Sequence, residues 1–480
     1  MIASTENILL AGSVLLLISI VAGKTSSRFG VPTLILFLIV GILAGSEGIG
    51  GIYFDNPRIA QFIGVTALNF ILFSGGLDTE WKTIQPVIWR GISLSTIGVF
   101  ITALTVGLFV HFILHFSLLE GLLLGAIVSA TDAAAVFSIL RNKGIKLKGK
   151  IGAVLELESG SNDPMAYFLT AAFTSAIGTG HLDGWQLVLL LTKSFLIGGI
   201  MGYLMGKLSV WIINKINLQT DGLYPVLVLG LAMFTYSATH LIEGNGFLAI
   251  YLSALVLGNS DFIHKRSLMK FYDGQAWLMQ IVLFLTLGLL VFPSKIIPVI
   301  SIGLLIAAFL MFIARPLGVF SALAFFKISF RSKLFISWVG LRGGVPIVFA
   351  TYPLIAGLDK AGVIFNLVFF ISISSVLLQG TTLALIAKWL GVTEAPSQKT
   401  EQIKTMSIHD DMKEITLTAN SIVIGKKIVD LHLPDSIHII SIKRNDNHMQ
   451  PTGATKLLAG DRLLIVSDDK MELLKALDKF

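Results

Sequence analysis

Residues 152–170, GAVLELESGSNDPMAYFLT, place three carboxylates, two serine hydroxyls and an amide inside a long apolar run. On a helix, Glu156 and Asp163 would share one face because they are seven residues apart, and Glu158 and Asn162 because they are four apart. Ionisable groups within a membrane span are costly, and a site in the interior of the helix bundle is the default explanation for them. The stretch therefore predicts a membrane helix built around a polar site.

The composition of the whole chain agrees with a membrane protein. Of its 480 residues, 54% are hydrophobic and 14% are charged, and the mean hydropathy is +0.82. Average soluble proteins carry about 25% charged residues. The chain has no cysteine, which excludes disulfides, thiolate catalysis and cysteine-based metal sites. We expect the lipid bilayer as its environment and no nucleic-acid partner.

Thirteen apolar runs are candidate membrane spans, since crossing the hydrocarbon core takes about 20 residues. Residues 1–7 contain no Lys or Arg, and the first run ends without a small-residue cleavage site, so we interpret it as a span rather than a signal peptide. The runs lie near residues 8–23, 31–47, 59–76, 88–113, 119–140, 151–177, 186–213, 222–241, 246–258, 275–292, 296–325, 334–354 and 362–388.

The basic residues of the loops fix an orientation for these runs. With the N-terminus outside, the inner loops hold sixteen Lys and Arg residues and the outer loops hold three. Cytoplasmic loops are the ones enriched in Lys and Arg. The alternation predicts thirteen spans, an outer N-terminus and a cytoplasmic C-terminus, and it accounts for the net charge of +7.

Spans five and twelve contain features unusual for membrane helices. Thr131 and Asp132 lie near the middle of GAIVSATDAAAVFSIL, residues 125–140. Three glycines and a proline should interrupt the helix of span twelve; these are Gly340, Gly343, Gly344 and Pro346. The two spans occupy matching places if spans 1–6 and 8–13 are inverted repeats, and transporters built from such repeats place their site where two broken helices meet. Asp132 would then offset the positive helix ends at the break; a polar residue held only by backbone partners is the alternative.

The polar groups of span six suit a monovalent cation. Ser159, Asn162 and Asp163 offer a hydroxyl, an amide and a carboxylate within two helical turns, and oxygen ligands are what a partly dehydrated cation needs. Asp163 can also carry a proton, so cation and proton would compete for one carboxylate. A structural ion pair is the alternative role for Asp163.

A second acidic group lies beside this site. Glu158 would be costly to bury without a partner. Arg315 in span eleven is the favoured partner and Arg342 in span twelve is the alternative.

Four motifs in order carry a resemblance to a known family: ATDAAAVFSILR (130–141), LELESGSNDPMA (155–166), IARPLG (313–318) and GLRGGVP (340–346). Together they resemble the sodium/proton and potassium/proton exchangers of the cation–proton antiporter superfamily, over residues 1–390, and the Asn-Asp pair is similar to that of the electroneutral branch. No cofactor is implied.

The resemblance implies an all-α exchanger domain, a homodimer in the bacterial inner membrane, and alternating access of the elevator type. Broken helices would cross at spans five and twelve. By the same resemblance, Asp163 carries the ion and the proton with Asn162 and Ser159 beside it. The resemblance also implies that Thr131 and Asp132 lie at the crossing and that Glu158 pairs with Arg315.

Beyond the spans, the chain changes character. Residues 391–410 form a polar linker, and residues 411–480 predict a small cytoplasmic α/β domain. EITLT, HIISIKR and RLLIVSD are strand-like; residues 421–431 and 470–480 have helical spacing. The segment VIGKKIVDL…GDRLLIVSD, residues 423–468, resembles the RCK-C (TrkA-C) domains of potassium channels and transporters. This favours K⁺ over Na⁺ as the substrate. It also suggests a small regulatory ligand such as a nucleotide, with a module for dimerisation or stability as the alternative; no G-x-G-x-x-G is present, so NAD binding is not expected.

Two other classes of function fit these residues less well than antiport does. A cation channel gated by the tail would need a pore filter, whereas a lone Asp on a helix suits a site that must reload. An intramembrane enzyme would need a nucleophile with a base or a metal cluster, and GSND, residues 160–163, has no convincing His or Lys partner. The sequence therefore favours a secondary antiporter that is not an enzyme.

Overall fold

The structure is a computed structural model that describes residues 4–29, 32–181, 183–394, 412–417, 421, 423–431, 433, 437–444, 447–449 and 451–467. The chain divides into two compact units, Met1–Glu394 and Ala395–Phe480. The first is helical and the second contains a small sheet.

The first unit contains helices at every one of the thirteen predicted runs. Several runs hold a series of helices joined end to end or separated by a short break. The helices are α1 Thr5–Phe29, α2 Thr33–Ala44, α3 Pro57–Asp78, α4 Trp81–Ile84, α5 Ile88–Ser93, α6 Val99–Leu114, α7 Leu118–Ile127, α8 Ala133–Asn142, α9 Ile151–Thr179, α10 Gly184–Lys215, α11 Leu223–Leu241, α12 Gly246–Gly258, α13 Lys265–Leu289, α14 Pro293–Ile296, α15 Ile300–Phe309, α16 Arg315–Ala322, α17 Phe330–Trp338, α18 Gly344–Phe349, α19 Thr351–Ile355 and α20 Ala361–Trp389.

Length and composition agree with a polytopic membrane protein. Among the described residues, seven helical segments are long and apolar enough to cross a membrane on their own, and four shorter apolar segments accompany them. Helix α13 differs from its prediction because it begins at Lys265, ten residues before the run near 275–292. This first part is polar, so hydropathy alone could not include it.

Contacts between loops support the predicted alternation of crossings. The backbone N–H of Lys148, after α8, donates to the carbonyl of Val392, after α20, at 2.7 Å. On the other face, Lys360 Nζ lies 2.8 Å from Glu120 Oε2. We call the face that carries residues 79–80, 143–150, 216–222, 259–264 and 323–329 the basic-loop face, and the other the opposite face.

Spans four and eleven share an unusual order of elements. Each begins with a four-residue α-helix, continues through a 3₁₀ turn containing a proline, and later passes through a five-residue π-helical segment. The turns are Gln85–Val87 and Ile297–Val299, and the π segments are Leu94–Gly98 and Leu310–Ala314. The two spans are seven apart, which is the spacing expected of inverted repeats built from spans 1–6 and 8–13.

Spans five and twelve are both broken. Residues 128–132 separate α7 from α8, and residues 339–343 separate α17 from α18. The interruption of span twelve confirms what its glycines and proline predict, and span five is broken at the matching place. The N-termini of α8 and α18 therefore lie in the middle of the bundle.

Glycines allow close packing of the longest helix. A methyl group added at Gly202 in α10 would lie 2.8 Å from the carbonyl oxygen of Ala249 in α12, and one at Gly198 would lie 2.8 Å from that of Asn245. Their spacing of four residues presents both to α12, so these glycines serve packing within the chain.

The described residues of the second unit contain four strands in one antiparallel sheet, in the order β1-β4-β2-β3. Its strands are β1 Met412–Thr416, β2 Ile437–Arg444, β3 Asn447–Met449 and β4 Arg462–Ser467. The three predicted strands are confirmed, whereas the helix predicted at 421–431 is wrong. Within the described part of that segment only the 3₁₀ turn Ile428–Leu431 is helical, because Gly425 has a φ of +79° and ends any helical course.

The predicted linker, residues 391–410, and the predicted helix at 470–480 are described only in part or not at all. Residues 391–394, predicted as the start of the linker, belong to the first unit because residues 392–394 pair with residues 146–148 through main-chain hydrogen bonds. The rest of the linker and the helix predicted at 470–480 lie outside the described residues.

Candidate functional site at the crossing of two broken helices

The two breaks meet each other directly. The backbone N–H of Asp132 donates to the carbonyl of Leu341 at 2.8 Å. Asp132 also caps α8, since its Oδ1 accepts from the N–H of Ala135 at 3.1 Å. A methyl group at Gly343, the residue before α18, would lie 2.3 Å from Asp132 Oδ2. One carboxylate thus lies beside the N-terminal ends of two half-helices, which carry partial positive charge.

Arg342 serves the other ends of the broken helices. Its guanidinium donates to the carbonyls of Ser129 and Ala130, just beyond the C-terminus of α7, and its own N–H donates to Ser375 Oγ at 3.0 Å. Carbonyls at a helix C-terminus carry partial negative charge and need donors. Arg342 is therefore held by the crossing itself and is not the ion-pair partner of Glu158.

Thr131 joins the crossing to α9. Ser159 Oγ donates to the Thr131 carbonyl at 3.0 Å, and Asn162 Nδ2 donates to Thr131 Oγ1. Both side chains lie on the face of α9 that meets the break in span five. Thr131, Asp132, Ser159 and Asp163 line one cavity, and Asn162 is joined to this group through its hydrogen bond to Thr131.

Two buried oxygens at this place are open. Asp163 is 6% exposed and Asn162 is fully buried. Asp163 Oδ1 and Asn162 Oδ1 have no hydrogen-bond partner among the described residues. Pro164 inside α9 has no N–H, so the Gly160 carbonyl lacks its donor four residues on. Carboxylate, amide and carbonyl oxygens are thereby left available, which is a donor set for a hard cation.

Glu158 lies in the same helix but in a different environment. Its Oε1 is 2.6 Å from Arg315 Nη1, and both side chains are almost fully buried. A methyl group at Gly340 would lie 2.8 Å from Arg315 Nε, so the glycine of the broken segment makes room for the arginine. The pair is itself neutral, and neither of its residues lines the cavity that contains Asp163.

A cavity of about 430 Å³ leads to Asp163. Its deep end is lined by Thr131, Asp132, Ser159, Gly160 and Asp163. Its mouth contains the last residues of α3 and α8 and the second turn of α9, which are Asp78, Thr79, Arg141 and Glu156. Because these helix ends lie at the basic-loop face, the cavity connects Asp163 to that face.

Aromatic side chains lie on the other side of Asp163. The Tyr167 ring, one helical turn beyond Asp163, packs edge-on against Phe247 and Tyr352 with centroid distances of 5.2 and 5.5 Å. Phe349 lies 6.0 Å from Tyr167. This cluster stands between Asp163 and the opposite face, so the site is reached from the basic-loop face in this conformation.

Sequence reasoning missed several of these groups. The Gly160 carbonyl could have been found, because a proline four residues later always removes its helical donor. The contacts of Arg342 and the aromatic cluster could not, because each joins segments far apart in the chain. Gln280 and Tyr251, which line the cavity, carried no distinguishing local pattern.

Comparison with known proteins decides the family. The model for "Sodium/hydrogen exchanger, transmembrane" matches residues 13–389. The chain belongs to this family. The TrkA-C domain model matches residues 412–477, in agreement with the resemblance of the tail.

Named relatives cover most of this exchanger-family chain. It is 40% identical over 437 residues to the K(+)/H(+) antiporter NhaP of Alkalimonas amylolytica, covering 90% of this chain and 76% of the relative. It is 39% identical over 474 residues to the K(+)/H(+) antiporter NhaP2 of Shewanella sp. (strain MR-4), covering 97% and 82%. The structure of the sodium proton antiporter MjNhaP1 from Methanocaldococcus jannaschii at pH 8 aligns with a TM-score of 0.69 at 25% identity, covering 80% of this chain and 99% of that one.

Proposed function

We propose that this exchanger-family protein is a secondary K⁺/H⁺ antiporter whose shared carrier is Asp163. The observation that carries the proposal is the buried, open Oδ1 of Asp163 at the end of a cavity that reaches one membrane face. A structural carboxylate at this depth would be paired, as Glu158 is. An open carboxylate is stable there only when a cation or a proton neutralises it.

Competition for this carboxylate couples the two ions. With K⁺ bound or with H⁺ bound, the Asp163 site is neutral and can change its exposure from one face to the other. The empty, charged carboxylate is costly in the membrane interior, so the unloaded carrier does not cross. One carboxylate then exchanges one K⁺ for one H⁺ without moving net charge.

The neighbouring groups hold the cation and shape the site. Asn162 Oδ1, Ser159 Oγ, the Gly160 carbonyl and Thr131 supply oxygens beside Asp163, while Asp132 holds the two helix N-termini together. The Glu158–Arg315 pair fixes α9 against α16 and has a structural role. Release to the other face requires the Tyr167 cluster to separate, which is the alternating-access step.

The choice of K⁺ over Na⁺ rests on the relatives and on the tail. The two relatives with about 40% identity over most of the chain are named K(+)/H(+) antiporters, whereas the 25%-identical MjNhaP1 is a sodium proton antiporter. A TrkA-C domain follows the membrane domain. Na⁺/H⁺ exchange at the same site is the second candidate, favoured by the family name.

The remaining features of the assembly belong to the same proposal. The protein is a homodimer of the bacterial inner membrane, with its N-terminus outside and its basic-loop face in the cytoplasm, so the cavity opens inward. Residues 1–390, together with residues 391–394 that pack with them, form the exchanger domain. The rest of the segment 391–410 is the linker, and residues 411–480 are a cytoplasmic regulatory domain for a small ligand such as a nucleotide. The excess of basic residues on one face supports this orientation.

Proteoliposomes with an internal pH dye and an imposed acid-inside gradient test the proposal. External KCl should dissipate the gradient with wild type and fail with Asp163→Asn. Glu243→Gln is the matched control, because this exposed carboxylate lies in a loop on the opposite face, and it should behave as wild type. Dissipation by NaCl alone would keep the mechanism and change the cation. Activity of Asp163→Asn equal to wild type would overturn the proposal.

A further inference from the structure

A second cavity, of about 400 Å³, lies on the basic-loop face away from Asp163. It is formed by α5, the loop before α9, the loop between α16 and α17, and the end of α20. Its charged lining residues are Arg90, Lys148, Lys150, Lys327 and Arg331. We call it the basic pocket; none of its lining residues, all from the described part of the chain, is acidic.

No described acidic residue neutralises the charges of the basic pocket. Lys148 Nζ donates to the carbonyl of Gly391 at 3.0 Å. The other four basic side chains, Arg90, Lys150, Lys327 and Arg331, form no ion pair with any described residue. Basic side chains around a concave surface repel one another unless an anion lies among them.

A long helix adds to this field. Helix α9 begins at Ile151 beside the pocket and has no side-chain cap. The first N–H groups of a helix lack intrahelical acceptors, and they carry partial positive charge. Side-chain cations and a helix N-terminus therefore converge on the same space, which is the arrangement that holds a phosphate group.

The walls of the pocket are held in place. Main-chain hydrogen bonds join Lys148 to Val392 at 2.7 Å and Glu394 to Lys146 at 2.9 Å. These bonds tie the loop that leads into α9 to the end of the membrane unit. The pocket is thus preorganised, and a ligand would bind without first ordering a loop.

The surroundings of the pocket identify the source of the phosphate. Four exposed aromatic residues flank its basic residues along the chain. Their exposed fractions are 71% for Trp89, 98% for Phe325, 64% for Phe330 and 80% for Trp389. Trp side chains of membrane proteins, such as Trp89 and Trp389, concentrate at the depth of the lipid headgroups. The basic pocket therefore lies where a headgroup reaches it from the bilayer.

We propose that the basic pocket binds the phosphate of an anionic phospholipid headgroup from the leaflet at the basic-loop face. Basic pockets between membrane helices on the cytoplasmic side are suited to such headgroups. The site is separate from the cation site at Asp163, so its occupancy is independent of exchange. It joins the loop before α9, the loop between α16 and α17 and the end of α20 around the first turn of α9, so the bound lipid stabilises the helix that carries Asp163.

Lipid binding to the purified full-length protein tests this site. Thermal unfolding in neutral detergent would be followed while phosphatidylglycerol or phosphatidylcholine is added, and native mass spectrometry would count the lipids retained. The pocket variant is Lys327→Gln/Arg331→Gln. The control is Lys82→Gln/Lys143→Gln, which removes the same charge from exposed positions on the same face outside the pocket.

We expect phosphatidylglycerol to stabilise wild type and the control more than phosphatidylcholine does. The pocket variant should bind phosphatidylglycerol roughly thirtyfold more weakly, since two basic contacts are lost. Equal losses in pocket and control variants would overturn the proposal, because only general surface charge would then matter. If the double variant does not fold, Arg331→Gln alone should show a smaller loss in the same direction, and no loss would count against the site.

Two further controls distinguish a lipid site from a free-phosphate site and from the cation site. Inorganic phosphate at constant ionic strength, added in place of the lipid, should not reproduce the stabilisation; if it does, the site takes free phosphate and the lipid assignment is wrong. Asp163→Asn should keep the full response to phosphatidylglycerol. Loss of the response in that variant would contradict the independence of the two sites, whereas failure of exchange alone would leave the lipid site intact.

Discussion

Helix α9 contains two buried carboxylates, five residues apart in sequence, that meet opposite environments. Glu158 is held by Arg315 at 2.6 Å. Asp163 lies at the end of a cavity, and its Oδ1 has no hydrogen-bond partner among the described residues. Both groups are carboxylates that are buried in the same helix. The difference between them therefore lies in the residues that the rest of the fold places beside each one.

The comparison separates a structural charge from an exchangeable one. A buried ion pair has a fixed protonation state because each partner stabilises the charge of the other. An open carboxylate exchanges its counter-charge with whatever the cavity delivers. The two charged residues at the crossing are also held by the protein. Asp132 caps α8, and Arg342 donates to the carbonyl of Ala130 beyond the end of α7. Among the described residues, Asp163 is thus distinguished by having neither an ion-pair partner nor a hydrogen-bond partner for its Oδ1, and not by its burial.

Asp163→Asn should have the largest effect of these variants: it should abolish transport without lowering the stability of the protein. We expect exchange to fall to the level of protein-free vesicles, because an amide carries neither a proton nor a negative charge. The unfolding temperature should stay the same or rise, since no partner loses a contact and a buried carboxylate without a partner is removed. Exchange in proteoliposomes and thermal unfolding of the same preparation measure both. A large fall in unfolding temperature would mean that Asp163 has a structural role after all.

Glu158→Gln should show the reverse pattern. Removing one partner leaves Arg315 buried and uncompensated, which costs about 3–5 kcal/mol of stability. The double variant Glu158→Gln/Arg315→Met should recover much of this loss, because no buried charge remains. Unfolding by denaturing detergent compares the single and double variants. If the double variant is the less stable of the two, the pair contributes more than mutual neutralisation.

The sequence predicted the spans well because hydropathy reports the bilayer, an environment common to every membrane helix. It also predicted the break in span twelve, where Gly343, Gly344 and Pro346 act locally. The break in span five follows from tertiary contacts. Residues 128–132 contain no glycine or proline. The chain leaves the helix there because Arg342 binds the carbonyls of Ser129 and Ala130 in the break and Asp132 caps the next helix.

The same division explains the tail. The strands were predictable from runs of β-branched residues, each of which is local. The apolar spacing of residues 421–431 resembles a helix, but the chain turns at Gly425 and Lys427 forms a bridge with Lys456. Pairing with a distant segment overrode the local period, which single-sequence spacing cannot reveal.

Two glycines of the broken segment allow a smaller test of the comparison. Gly343→Ala would place a methyl group against Asp132, and Gly340→Ala would place one against Arg315. Overpacking a close contact costs about 1–3 kcal/mol. We expect Gly343→Ala to lower exchange by roughly tenfold, since about 1.4 kcal/mol against one state changes its population tenfold.

Gly340→Ala should mainly lower the unfolding temperature, because it displaces the structural pair rather than the crossing beside the cation site. The two variants differ by one methyl group each and serve as controls for one another. Exchange rate and thermal unfolding measured together separate them. Equal effects of both on exchange would show that the two sides of the crossing act as one unit.

A third carboxylate, Asp461 in the tail, allows the effect of an ion pair on stability to be tested outside the membrane spans, where we expect the smallest change. Asp461 accepts from Arg444 Nε and Nη2, each at 2.7 Å, and from the N–H of Leu458 at 2.8 Å. The Arg444 guanidinium is the main cause that lowers the pKa of this carboxyl below its ordinary value, and the Leu458 N–H adds to the effect. Asp461 is therefore a paired group like Glu158, but outside the membrane spans.

A carboxyl with a lowered pKa in the folded state stabilises the fold above its unfolded pKa of about 3.9, and this contribution is lost as the pH falls through the folded pKa. We expect Asp461→Asn to destabilise the tail by about 1 kcal/mol at pH 7 and to remove part of its loss of stability in acid. Hydrogen exchange of the sheet amides in the full-length protein measures both, with the exposed Glu414→Gln as control. An Asp461→Asn tail with the wild-type acid sensitivity would show that pairing to Arg444 does not control this titration.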